Sequence, residues 1–121
     1  MKQGRKISGG KYHSRRKLRL HERDSQAKIV KLGKEKRRRI TTRGGHKKHI
    51  MLMSDVANVL NMKTKKTKKA KIKNVLETPS NKFLARQNII TKGAILETEI
   101  GKARVTNRPS QEGNVQAVLV E

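Results

Sequence analysis

At 121 residues the chain has room for one small domain, and only 32% of it is hydrophobic against a formal net charge of +23. It contains no cysteine, which excludes disulfides, thiol catalysis and thiolate-ligated zinc. No apolar run approaches the roughly 20 residues of a membrane span, and the N-terminus lacks the apolar core of a secretory signal. The expected address is therefore the cytoplasm.

The charge is uneven. Residues 1–50 carry 19 Lys and Arg against three acids, residues 51–75 seven against one, and residues 76–121 six against five. Of the Leu, Ile, Val and Phe residues, only Ile7, Leu18 and Leu20 fall within residues 1–26. The expected organisation is a basic extended tail, 1–26, on a folded body, 27–121. A chain this basic repels itself unless a polyanion surrounds it, which is the footprint of a nucleic-acid binder. A basic enzyme would spread the excess rather than concentrate it in one half.

In chain order, the tail is a run of Lys, Arg, Gly, Ser and His without a sustained period. Gly4, Gly9 and Gly10 let its backbone bend and approach a surface closely. Arg15 to Arg23 allows a helical reading, although Leu18 and Leu20 are too close to form a stripe. Ala27 to Leu32 reads as a strand ended by Gly33. Glu35 to Thr42 is charged at its start and β-prone at its end, and Arg43-Gly44-Gly45 follows as a hairpin turn. His46 to Met53 reads as a strand with both faces largely apolar. Ser54 to Leu60 fits either a short helix capped by Ser54 or another strand. Lys63 to Lys69 has no apolar member and reads as a flexible loop. Lys71 to Glu77 alternates again, Pro79 closes it, and Ser80 or Asn81 caps a helical turn through Phe83 and Leu84.

The most clearly patterned stretch is Asn88 to Thr106, read as strand, turn, strand, turn, strand. Ala94, Leu96, Thr98 and Ile100 share one face, with Ile95, Glu97 and Glu99 on the other. Gly101 then predicts a hairpin that sets these glutamates against Lys102 and Arg104. Arg108 to Gly113 is a turn-rich connection, and Val115 to Val120 a final strand. Short strands joined by turn signals predict an all-β body, a small barrel or sandwich.

Several stretches together carry a resemblance. They are the Lys6 to Arg19 head with Gly9-Gly10, the Thr42-Arg43-Gly44-Gly45 turn, Asn88-Ile89-Ile90-Thr91-Lys92-Gly93-Ala94-Ile95, Gly101-Lys102-Ala103-Arg104-Val105-Thr106 and Arg108-Pro109-Ser110-Gln111-Glu112-Gly113. The chain resembles the small-subunit ribosomal protein eight-e family of archaea and eukaryotes, and its short length resembles the archaeal form. His46 stands where an Asn usually follows the Gly-Gly pair, and Ser110 where a Gly is common. The resemblance implies a β-barrel body with a basic extension, ribosomal RNA as ligand, neighbouring small-subunit proteins as partners, a place in the cytoplasmic ribosome, and no catalysis.

Read as chemistry, Arg5, Lys6, Lys11, Arg15, Arg16, Lys17, Arg19 and Arg23 of the tail would lie along phosphates and release counterions. Lys34, Lys36, Arg37, Arg38, Arg39 and Arg43 form a second cluster on a predicted strand and turn; three consecutive arginines favour forked phosphate contacts, against the plainer reading of one solvated sheet face. The Lys63 to Lys69 loop is a third, non-specific candidate. Tyr12 and Phe83 are the only aromatics, too few for a base-stacking sheet, and Phe83 is expected in the core; recognition is expected through RNA shape and backbone. His46 and His49 would fall on opposite strand faces with no acid nearby, so no metal, cofactor or small-molecule substrate is expected. Glu97 and Glu99 look like a carboxylate pair but are explained by the cross-strand cations. The rival readings are a free-standing nucleic-acid chaperone or compacting protein, and an enzyme acting on RNA.

Overall fold

The computed structural model describes residues 4–13, 16–23 and 28–120. Alternation decides most of the architecture. Strand β1 (Lys31–Leu32) is followed by β2 (Lys36–Thr41), β3 (Lys47–Ser54), β4 (Val56–Asn61) and β5 (Lys66–Glu77). One short helix, α1 (Lys82–Arg86), precedes β6 (Ile95–Thr98), β7 (Gly101–Val105) and β8 (Gln116–Leu119). Strands β4 to β8 close into a barrel in that order, sealed by a parallel β4–β8 pairing; β1, β3 and β2 form a separate three-stranded sheet. The all-β barrel is thus present.

Inward positions carry small and branched residues, as a narrow barrel requires. Ala57, Val59, Ala70, Ile72, Val75, Leu96, Ala103, Val105 and Ala117 are all buried, and Val30 and Met51 join the same cluster from the sheet side. Because β3 ends at Ser54 and β4 begins at Val56, the sheet stands at the barrel end where β4 starts. There the Met51 amide donates to the carbonyls of Pro109 and Glu112, at 3.0 and 3.1 Å, which fastens the β7–β8 connection to β3.

Two open alternatives are resolved, to a strand after Ser54 and to Asn81 as the helix cap, and other local expectations change. Ser54 does not cap a helix: its hydroxyl donates to the Val56 carbonyl at 2.8 Å, and the following residues pair with β5. Asn81, not Ser80, caps α1, accepting from the Phe83 amide at 2.9 Å. The Lys63 to Lys69 run is a loop only as far as Lys65; from Lys66 it pairs residue by residue with β4. Antiparallel pairing supplies the backbone partners that a charged stretch lacks when considered alone. The predicted strand at Asn88 shrinks to a single bridge, Lys31 to Ile89. Asn88 has φ of 52° and Gly93 φ of 82°, which leaves little extended chain between two bends.

Phe83 is a further correction. It is 67% exposed rather than in the core. The five-residue helix lies against β5 through Ala85 and turns Phe83 outward. At the β6–β7 hairpin, Glu97 does lie opposite Lys102, but Glu99 and Ile100 form the turn, and Arg104 faces Ile95. Ile100 is consequently 43% exposed, whereas Ala94, Leu96 and Thr98 point inward as their alternation predicts.

Candidate nucleic-acid interface

The head residues form two small local structures. Arg5 and Lys11 face each other in an isolated antiparallel bridge, closed by a turn in which Gly9 takes φ of 81°. The Arg5 guanidinium donates to the Gly9 carbonyl at 3.0 Å, and the Lys6 ammonium sits 5.6 Å from the Tyr12 ring centre. The turn therefore gathers Arg5, Lys6 and Lys11. Further on, a 3₁₀ turn at Leu20–Glu22 is held by Arg16, whose guanidinium binds the Glu22 carboxylate at 2.6 and 2.8 Å. Arg23 Nε donates to the Leu18 carbonyl at 3.3 Å. Lys17, Arg19 and Arg23 are exposed; Arg15 lies outside the described residues. Among the described residues, no hydrogen bond or ion pair joins 4–23 to the body.

Strand β2 carries the second cluster. Among the described residues it is an edge strand, paired with β3 alone. Alternation puts Arg38 on one face and Arg37 and Arg39 on the other, and Lys36 and all three arginines are exposed. Cations on an edge also discourage unwanted strand addition, so charge alone does not mark the strand as a contact surface. Arg37 is ion-paired with Glu35. Arg43 sits in the turn beyond β2, where Gly44 and Gly45 have φ of 82° and 80°.

The third element is only half visible in the sequence. Along β5, Ala70 and Ile72 point inward, so Lys69, Lys71 and Lys73 share the outer face and are exposed. The sequence signal is the Lys-Ala-Lys-Ile-Lys alternation, obscured by the preceding lysines. Between this wall and the sheet opens a cleft of about 550 Å³. Arg37 and His49 line it from the sheet and Lys69 from the barrel, with Asn58 and Asn114 supplying amides and Glu35 the one carboxylate. His49 stands across from Arg39 in β3 and packs against Gly113, where an added Cβ would come within 3.3 Å of the His49 Cβ. The fold thus brings part of the arginine strand and part of the lysine stripe to one opening. No described group of three or more His, Cys, Asp or Glu residues gathers as a metal site.

Residues 1–120 match the family described as Ribosomal protein S8e. The chain belongs to the ribosomal protein S8e family. Among its S8e relatives, the small ribosomal subunit protein eS8 of Methanosarcina barkeri is 42% identical over 117 residues, covering 97% of this chain and 94% of the relative. The eS8 proteins of Haloarcula marismortui and Methanococcoides burtonii are 44% and 38% identical over the same length and with the same coverage. The sequence resemblance to the eight-e family is thereby confirmed, archaeal relatives included.

Proposed function

We propose that the protein is a structural constituent of the small ribosomal subunit, where it binds and neutralises folded ribosomal RNA beside other small-subunit proteins. Its place is then the cytoplasmic ribosome, and it performs no catalysis. The observation that carries this reading is the cleft in which Arg37 of the edge strand and Lys69 of the barrel wall face one space. An RNA backbone entering it meets Lys69 on one wall and, on the other, Arg37, which a phosphate must draw away from Glu35; each neutralised phosphate releases condensed counterions. Arginines at 37–39 supply planar forks suited to phosphate oxygens.

The head, from Arg5 to Arg23, extends this grip. Its described residues make their hydrogen bonds among themselves, which supports a head that reaches RNA helices as a separate element. Neutralising phosphates allows neighbouring helices to pack closely, which is the whole of the mechanism.

The test is sedimentation of the endogenous protein through high-salt sucrose gradients. A subunit constituent travels with the small subunit in stoichiometric amount. A free-standing chaperone or compacting protein strips off or spreads through the gradient, and that outcome would overturn the reading.

A further inference from the structure

The outward turn of Phe83 creates a surface that the basic clusters do not account for. Its ring lies 67% exposed on α1, and the Arg86 guanidinium stands 5.7 Å from the ring centre. A guanidinium covers one face of a ring and fixes its orientation. The opposite face remains open.

Beside this ring, α1 and β5 enclose a pocket of about 570 Å³. Lys82 and Arg86 line it from the helix, and Asn74 and Asn88 from the strand and the chain beyond the helix. The two amide side chains are oriented alike. Each Oδ1 accepts from the Val75 amide, at 2.9 Å from Asn74 and 3.4 Å from Asn88. That leaves both NH₂ groups available to donate, and among the described residues neither has a partner. Thr78 is wholly buried in the pocket wall, and its hydroxyl also lacks a described partner. Glu77 is the only carboxylate on the lining. The pocket is therefore rich in donors and cationic on balance, and Arg86 links it to the exposed Phe83 ring, which is not itself part of the lining.

We infer that the pocket between α1 and β5 takes one unstacked nucleotide of RNA, its base lying on the open face of Phe83 and its phosphate among Lys82, Arg86, Asn74 and Asn88. This rests on the ribosomal RNA reading above. A phosphate offers acceptors only, matching the donors, and every base offers a π face, matching the ring. An acidic side chain of a protein neighbour would satisfy the cations but would leave the ring face and most of the amide donors unused. Recognition at this point adds a stacking contact to an otherwise backbone-reading protein.

The chain contains no tryptophan, so Phe83→Trp installs a single tryptophan reporter on the full protein, read apart from Tyr12 by red-edge excitation. In vitro transcribed archaeal small-subunit RNA should quench it, whereas heparin, a polyanion without bases, should bind without quenching. Replacing the ring by Phe83→Leu should weaken RNA binding about five- to 150-fold, the range for one base–aromatic stack. The slope of affinity against salt should stay unchanged, since no charge is removed. Retention on RNA without quenching, equal quenching by heparin, or undiminished affinity of Phe83→Leu with an unchanged thermal midpoint would each overturn the inference. Quenching that appears only on adding small-subunit proteins would reassign the pocket to a protein neighbour. Failure of the ribosomal reading itself looks different: the endogenous protein would strip off the small subunit in the high-salt gradient, whatever the Phe83 variants do.

Discussion

The Arg16 guanidinium holds the Glu22 carboxylate with two nearly parallel hydrogen bonds, Nη2 to Oε1 at 2.6 Å and Nη1 to Oε2 at 2.8 Å. The Arg19 amide adds a third at 2.9 Å, to Oε2. Arg16 first, and the Arg19 amide second, lower the Glu22 pKa from its ordinary 4.5. A carboxyl depressed on folding stabilises the turn above its unfolded pKa and loses that contribution as pH falls through the folded value. The Leu20–Glu22 turn should thus be formed at neutral pH and loosen in acid below 4.5. The Arg19 amide shift in an NMR pH titration reads this directly, and Glu22→Gln should abolish the transition.

That pair also withholds a cation. Releasing Arg16 through Glu22→Gln should let it reach a phosphate, so RNA affinity rises and the salt slope steepens by about 0.7–0.9. Filter binding across a salt series measures both. An unchanged slope would mean that Arg16 makes no phosphate contact even when its carboxylate partner is gone.

Deleting residues 1–25 should leave the body folded, because the buried cluster begins at Val30. The deletion removes nine Lys and Arg. Binding should weaken, and the salt slope should flatten by about 0.7–0.9 for each phosphate that the head no longer neutralises. Circular dichroism checks the fold and a salt titration checks the rest. A full-length slope in the truncated protein would assign all phosphate neutralisation to the body.

How much of this is legible in the sequence depends on whether neighbours along the chain or neighbours in space decide the outcome. Ala94, Leu96 and Thr98 are readable as one buried face because alternation is a property of the strand itself. The Gly44-Gly45 turn is readable for the same reason. Phe83 is not, since its exposure depends on which side of a five-residue helix meets β5. Lys66 to Lys69 look like loop because their backbone partners, Asn61 to Asn58, lie on another strand. At the candidate interface, the arginine run is plain in the sequence. Its meeting with Lys69 across a cleft is not, because it depends on how the sheet is set against the barrel.

The barrel interior sets the stability. Leu96 is fully buried on β6, opposite the equally buried Ala103. Its cross-strand neighbours are Ala103 on β7 and the β-branched, stiff Val75 on β5, which can fill little of the space left by Leu96→Ala. The cost should be about 2–5 kcal/mol, the range for large-to-small core substitutions. Phe83→Ala, by contrast, removes an exposed ring and one cation–π interaction, and should cost about 1 kcal/mol or less. Urea unfolding of the two variants separates core from surface: similar losses would return Phe83 to a structural role.

The β2–β3 hairpin tests whether the arginine strand must be held in place to work. Gly44 and Gly45 both adopt positive φ, while the Thr42 amide and hydroxyl donate to the His46 carbonyl at 2.7 and 3.0 Å. A Cβ on Gly45 would meet nothing within 4 Å, and one on Gly44 only the His46 ring at 3.4 Å. Any penalty for alanine is therefore in the backbone, about 1–2 kcal/mol at each position. Because β2 is paired on one side only, the loss should fall on that strand and spare the barrel. Amide exchange in the Gly44→Ala, Gly45→Ala double variant should quicken across Lys36–Thr41 and stay slow in β4 to β8. RNA affinity should fall with it, although no cation has been removed. Asparagine, which tolerates this backbone region better than alanine, should recover part of both effects. If the strand frays and affinity holds, Arg37, Arg38 and Arg39 grip RNA as flexible charges and need no sheet to present them.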